Sequence, residues 1–341
     1  MTRPTWSERP DDAPLRFGIV GCGDVTEVKS GPAFQRVEGA ALSAVMRRDG
    51  AKAEDYARRH GVPRWTDDAR ELIFGDDVDA VYVATPPLTH LPYVLQAAEA
   101  GKPVYVEKPM GLTLTECRTM IIACERAGVP LFVAYYRRAL PRFERVRQAI
   151  HDGSIGTPRM LRATLTTRAT PAASDRTGWR FDPLASGGGL FVDLASHAFD
   201  LFDHWLGPVA DVSGHAVTRV PDGHAEDEVS ARFTFESGVH GVGLWGFDGA
   251  TEIDEMMVIG DRGSVRVPLV ADGTVVVHDV DGNERSEAIP HPAHVQEPLI
   301  RQLVEELRGT GGACVSTGTT AARTQGVLDA VLHEHRRSAL R

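Results

Sequence analysis

Cysteine is scarce in this chain. Four stand among 341 residues, at 22, 117, 124 and 314, with no zinc-type pairing and too few bridges to frame so long a sequence. Reduced thiols are expected, with Cys117 and Cys124 as core filler in a helical stretch. No apolar run reaches the roughly 18 residues that suggest a membrane span. The opening MTRPTWSERPDDAP lacks the apolar core of a signal peptide, so a cytoplasmic protein without a membrane partner is expected. Basic charge is also short: 37 Lys and Arg face 47 Asp and Glu, a formal net charge of −10. That balance argues against a broad nucleic-acid surface, which needs concentrated Lys and Arg.

What is present suits two globular domains with ample core. Residues 1–14, rich in Pro and Asp, read as a disordered tail. From 15 to 138, short β-branched runs (LRFGIV, ALSAVM, AVYVAT, PVYVEK, LFVAYY) alternate with helical stretches at 50–60, 88–100 and 113–127. That alternation predicts an α/β domain with a parallel sheet and crossover helices. From 139 to 295 a helix near 141–151 leads into strand-like runs such as PRMLRATLTT, EVSARFTFES and GVHGVGLWGF, many joined by glycine turns. These predict an α+β domain with an open, mostly antiparallel sheet. The remainder, 296–341, reads as closing helices, and the aperiodic loop 168–186 as a functional one.

Three places carry chemistry. In RFGIVGCGDVTEV, Gly21 and Gly23 follow a strand and precede a helix, with Thr26 where a dinucleotide fingerprint has its third glycine. Such a loop lets backbone approach a pyrophosphate, which meets free N–H groups at the helix start; Gly21, Cys22, Gly23, Asp24 and Val25 are the candidates, against the alternative of a tight turn without ligand. Thr26 puts the closeness of helix packing in question. The second strand ends in Met46, Arg47 and Arg48, where arginine accommodates the 2′-phosphate of NADP and an acid would bind the ribose of NAD. NADP(H) is therefore expected ahead of NAD(H), although Asp49 supplies the acid if the strand runs two residues further. At the carboxyl edge of the same sheet, where ligands bind, stand Ala84, Thr85, Pro86 and His90 of ATPPLTH, and Glu107 and Lys108 of VYVEKPM. Lys108 on its short tether suits a cofactor ribose or a substrate hydroxyl; the alternative is a surface lysine paired to Glu107.

The third place is GGGLFVDLASHAFDLFDHWLG, 187–207. Helical periodicity puts Asp193, Ser196, His197, Asp200 and His204 on one stripe, where a solvated face usually shows Lys, Glu and Arg. Asp and His four apart stack on one face, so the carboxylate can orient the imidazole; a solvated face and a zinc site remain alternatives, the latter without an obvious third ligand.

Taken together, the glycine loop, ATPPLTH, EKP and GGGLFVDLASHAFD resemble the Gfo/Idh/MocA family, named for glucose-fructose oxidoreductase and inositol dehydrogenase. The resemblance runs from Leu15 over nearly the whole chain. It implies an N-terminal Rossmann domain and a C-terminal open sheet that often builds oligomers, here a homodimer or homotetramer. It also implies hydride transfer between NAD(P) and a sugar, cyclitol or cyclic diol. Carried over, Lys108, Asp193 and His197 become the catalytic group, with the helix presenting the latter two to the substrate, and GWR at Trp179 and Arg180 approaches the cofactor. No metal is implied. Other members suggest an NAD-dependent glycosidase or a nonenzymatic nucleotide-sensing regulator as alternatives.

Overall fold

A computed structural model describes residues 13–168, 178–219 and 225–339. The tail expected at 1–14, save its last two residues, and 169–177 of the expected long loop lie outside the described residues. The chain divides into two compact units, one of residues up to 139 with 292–322, the other of 140–291 with 323 onward.

The first unit is built on six parallel strands: β1 Leu15–Val20, β2 Ala40–Met46, β3 Arg64–Thr66, β4 Ala80–Val83, β5 Val104–Val106 and β6 Leu131–Val133, in the order β3-β2-β1-β4-β5-β6. Strands buried on both faces read as unbroken apolar runs, which is why AVYV and VYV are apolar throughout. Strand order reverses between β1 and β4, the position at which open α/β sheets take ligands. Helix Gly50–His60 occupies the span its periodicity predicts, capped by Asp49 and closed by Gly61 in the left-handed region. β3 and the helix Ala69–Phe74 leave no periodic trace in the sequence, because three and six residues are too short for a period to show. Helix Glu297–Arg308 packs beside helix Gly31–Arg36 with Leu299, Ile300, Leu303 and Val304 buried. The closing helices expected as one block at 296–341 thus divide, this one counting with the first unit.

The second unit carries an eight-stranded sheet in the order β14-β13-β12-β11-β7-β10-β9-β8. Its strands are β7 Pro158–Arg168, β8 Val209–Val217, β9 Glu228–Phe235, β10 His240–Gly249, β11 Ile253–Gly260, β12 Ser264–Val267, β13 Thr274–His278 and β14 Glu284–Ala288. Neighbours are antiparallel except β7 and β10, which run parallel. β9 and β10 alternate buried with exposed or half-buried residues, as a sheet covered on one side must. The covering helix is Leu190–Leu206, whose Phe191, Phe199 and Phe202 pack with Phe233 and Trp245 at ring-centroid distances of 5.1–5.8 Å. β14, ERSEA, has no apolar residue to signal it beyond its last alanine. No helix of the described residues is long and apolar enough to cross a membrane.

Candidate active site

At the end of β1, Gly21 takes φ +94°, and a Cβ there would lie 2.6 Å from Thr85 Cγ2 and 3.0 Å from Thr85 N. Only glycine fits that turn. The Gly21 and Cys22 N–H groups both donate to Met46 O, at 2.9 and 3.1 Å, which stitches the loop to the end of β2. Over Gly23 the space is open: a Cβ would meet nothing closer than Gly21 O at 3.9 Å. Asp24 and Val25 lead on into a π-helical turn, Thr26–Ser30. Thr26 is buried, with its hydroxyl donating to Gly23 O at 2.7 Å, and Tyr56 OH donates to Thr26 O at 2.9 Å. The close approach expected of a third glycine belongs instead to Gly31, where a Cβ would strike Tyr56 OH and Thr26 O.

β2 stops at Met46, and Asp49 accepts from Lys52 N and pairs with Lys52 Nζ at 3.2 Å, so the strand does not extend to make Asp49 the ribose acid. Arg47 leans back on the glycine loop, its Nη1 donating to Cys22 O at 3.3 Å, and Arg48 is exposed.

Two of the expected cofactor residues are buried. Cys22 is buried, its thiol pushed up to about 11 by that burial, and its N–H is spent on Met46 O. His90 is buried as well. Its Nε2 lies 2.7 Å from Thr85 O and its Nδ1 3.1 Å from both Pro109 O and Met110 O, so the ring ties ATPPLTH to EKPM. Burial lowers its pKa, although those carbonyls oppose the shift. Beside it, Ala84, Thr85 and Pro86 keep partial exposure, and Thr85 Oγ1 is buried without a partner among the described residues. Glu107 is buried too: Oε1 accepts from Tyr82 OH and Gln296 Nε2, both at 2.7 Å, and Oε2 accepts from the Lys108 N–H at 3.2 Å. Lys108 is half-buried, and its backbone N–H is the donor to Glu107 Oε2. The open space over Gly23, the orphaned Thr85 hydroxyl and the arginines after β2 fit a dinucleotide.

In the second unit, Asp193 is half-buried and His197 buried one turn further along helix 190–206. The stripe is not a solvated face, since Ser196, His197 and Asp200 are all buried and His204 Nε2 sits 2.7 Å from Glu144 Oε1. Sequence periodicity missed two carboxylates that hold this helix. Asp203 takes a two-pronged bond from Arg323, Nε at 2.7 Å and Nη2 at 2.8 Å. Glu226, buried just before β9, accepts from the N–H groups of Gly189 at 2.7 Å and Val192 at 3.4 Å. That contact explains the glycines: a Cβ on Gly188 would lie 2.9 Å from Glu226 Oε1, and one on Gly189 2.7 Å from Glu226 O. Burial raises the Glu226 pKa, with the helix N–H donors pulling it partly back. Trp179 and Arg180 form a short 3₁₀ turn in which the guanidinium stacks 4.6 Å from the indole. Among the described residues no group of three or more His, Cys, Asp or Glu is placed to hold a metal ion.

Comparison with known proteins agrees with this geometry. Residues 15–135 match the model described as oxidoreductase family, NAD-binding Rossmann fold, and 143–266 the GFO/IDH/MocA C-terminal domain. Oxidoreductase P35 of Formosa agariphila is 38% identical over 292 residues, 85% of this chain and 90% of that protein. The myo-inositol 2-dehydrogenase of Thermotoga maritima is 29% identical, with 80% of each chain covered. Among solved structures, the aldose-aldose oxidoreductase of Caulobacter crescentus, complexed with glycerol, superposes with a TM-score of 0.83 at 25% identity, over 95% of this chain and 98% of that one. A glycine loop at the head of a six-stranded parallel sheet, an EKP lysine at its carboxyl edge and a glycine-launched Asp/His helix on an open sheet thus occur here in one chain, which belongs to the Gfo/Idh/MocA family of NAD(P)-dependent oxidoreductases.

Proposed function

We propose that the protein oxidises or reduces a CH–OH group of a sugar, cyclitol or cyclic diol, with NADP(H) preferred to NAD(H). The observation that carries the chemistry is the Asp193/His197 pair, one turn apart on a helix whose start is fixed by Glu226. The bound nicotinamide supplies the hydride acceptor or donor. His197 takes the hydroxyl proton on oxidation and returns it on reduction, the general acid–base role most often filled by an imidazole. Lys108 polarises the reacting oxygen with its ammonium, and Asp193 orients the imidazole or the substrate. Gly21, Cys22, Gly23, Asp24, Val25, Ala84, Thr85, Pro86, His90 and Glu107 form the cofactor site with Arg47 and Arg48, and Trp179 and Arg180 approach the cofactor; Glu107 also holds the Lys108 N–H. The myo-inositol and aldose relatives support the substrate class.

Preference for NADP(H) rests on Arg47, held against the glycine loop, and on Asp49 being engaged as a helix cap. A planar guanidinium forks onto phosphate with charge-assisted bonds. The four cysteines, all buried and none in a disulfide, support a cytoplasmic location. The outer face of the eight-stranded sheet exposes Met160, Val242, Leu244 and Ile253 together, which supports assembly with further copies of the chain as a homodimer or homotetramer.

The test is a screen of sugars, inositols and cyclic diols with each cofactor, read by absorbance of the reduced nicotinamide. With the best substrate, His197→Ala and Lys108→Ala each lower kcat by about 100-fold or more with unchanged circular dichroism; near-parental turnover in His197→Ala rejects the assignment. Arg47→Ala lowers kcat/KM for NADP about tenfold or more and leaves NAD alone. Equal use of both cofactors by the parent, or no selective loss, rejects the preference.

A further inference from the structure

Gln296 lies at the end of the segment by which the chain re-enters the first unit, immediately before helix 297–308. It is wholly buried, yet every polar group it presents is engaged. Its backbone N–H donates to Lys29 O at 3.2 Å, in the π-helical turn that follows the glycine loop. Its side-chain Nε2 donates to Glu107 Oε1 at 2.7 Å, and its Oε1 accepts from Tyr105 OH at 2.8 Å. The amide has one chemically sensible orientation, because the reverse would set its carbonyl against a carboxylate. Two residues earlier, His294 Nδ1 lies 2.6 Å from Val28 O, in the same turn.

Tyr82 closes the circuit. Its hydroxyl is 2.7 Å from Glu107 Oε1 and 3.1 Å from Ser30 Oγ. One hydroxyl proton serves one acceptor, and the carboxylate takes it; Ser30 Oγ, beside it, also reaches Val25 O at 3.3 Å within the turn. Burial first, and the nearby Glu107 charge second, raise the pKa of Tyr82 and Tyr105 well above the ordinary value, so both stay protonated as donors. A buried carboxylate is tolerable only when hydrogen-bonded in this way. With both oxygens of Glu107 held, the peptide joining it to Lys108 is held too, through the Lys108 N–H.

We propose that Gln296 is a positioning residue: with Glu107 and Tyr82 it locks the backbone of Lys108 to the turn that follows the glycine loop, and so sets the lysine against the cofactor-binding loop. The proposal rests on the reading of Lys108 as the group that polarises the reacting oxygen. A displacement of about 1 Å at a reacting group costs on the order of 100-fold in rate, so such a lock has a kinetic consequence that bulk stability does not.

The experiment compares the full chain with Gln296→Met, which keeps length and loses both side-chain bonds. Amide hydrogen exchange rises at Lys108 and Met110 together with Ser30 and Gly31, while helix 114–127 is unchanged. Below the melting transition kcat falls tenfold or more, and the dissociation constant for NADPH, from fluorescence titration, stays within threefold. Exchange that rises at neither pair of amides or at only one overturns the proposal, as does a lowered Tm with parental kcat. Should Gln296→Met fail to fold, Glu107→Gln keeps an acceptor for Tyr82 and Gln296 but sets an NH₂ against the Lys108 N–H, and the same loss of kcat is expected from it. A parent without NADPH binding or turnover refutes the oxidoreductase reading alone, since the exchange experiment needs no substrate.

Discussion

Replacing Glu226 by alanine removes the acceptor at the head of the helix that carries Asp193 and His197. Glu226 is 3% exposed, and its Oε1 holds the Gly189 N–H at 2.7 Å and the Val192 N–H at 3.4 Å. A buried donor left without its partner costs about 1–3 kcal/mol. Loss of a carboxylate beside a helix N-terminus adds up to about 2 kcal/mol in buried settings, against which stands the desolvation that raises this group's pKa. Emptying the space of the side chain costs about 0.8 kcal/mol per methylene. The net expectation is about 3 kcal/mol, equivalent to about 6–12 °C in Tm for a unit of this size. Thermal melts by circular dichroism, paired with turnover at a temperature where both proteins are folded, measure the two consequences. Glu226→Gln keeps a neutral acceptor and loses less. Because the folded pKa is raised, the carboxyl contributes most below the unfolded value and that contribution is lost as pH rises through the folded value. The parent's advantage over Glu226→Gln therefore shrinks as pH rises from the acid side. An alanine variant that melts within about 2 °C of the parent refutes the reasoning, as does an advantage over glutamine that grows with pH.

A second expectation concerns Glu27, beside the glycine loop. Arg59 grips it with two bonds, at 2.7 and 2.8 Å, and with His60 beside it the carboxyl is pulled down to about 2 in spite of partial burial. The depressed pKa places its stabilisation above the unfolded value of 4.5, to be lost as pH falls toward 2. Discounted for solvent screening, Glu27→Gln costs on the order of 1 kcal/mol at neutral pH; denaturant curves that coincide with the parent at pH 7 dismiss it. Third, Val242→Glu with Leu244→Glu places charge on the exposed sheet face between β7 and β9. Sedimentation velocity is expected to show oligomer for the parent and monomer for the double variant, and a monomeric parent ends that proposal.

Local pattern was enough for much of this molecule. The β-branched runs marked the long strands and the helical stretch at 50–60 marked its helix, because propensity and hydrophobic period act within a few residues. The spacing of Asp193 and His197 likewise follows from helical geometry alone. Tertiary structure decided what those residues face. It buried the His90 ring among three carbonyls, which the sequence placed at a ligand edge. It supplied Glu226 to the glycines at 188 and 189 from 37 residues away, Arg323 to Asp203 from 120 away and Gln296 to Glu107 from 189 away. A buried charge is tolerated only where a partner reaches it, and nothing in the local sequence of either partner records which distant segment the folded sheet will bring alongside.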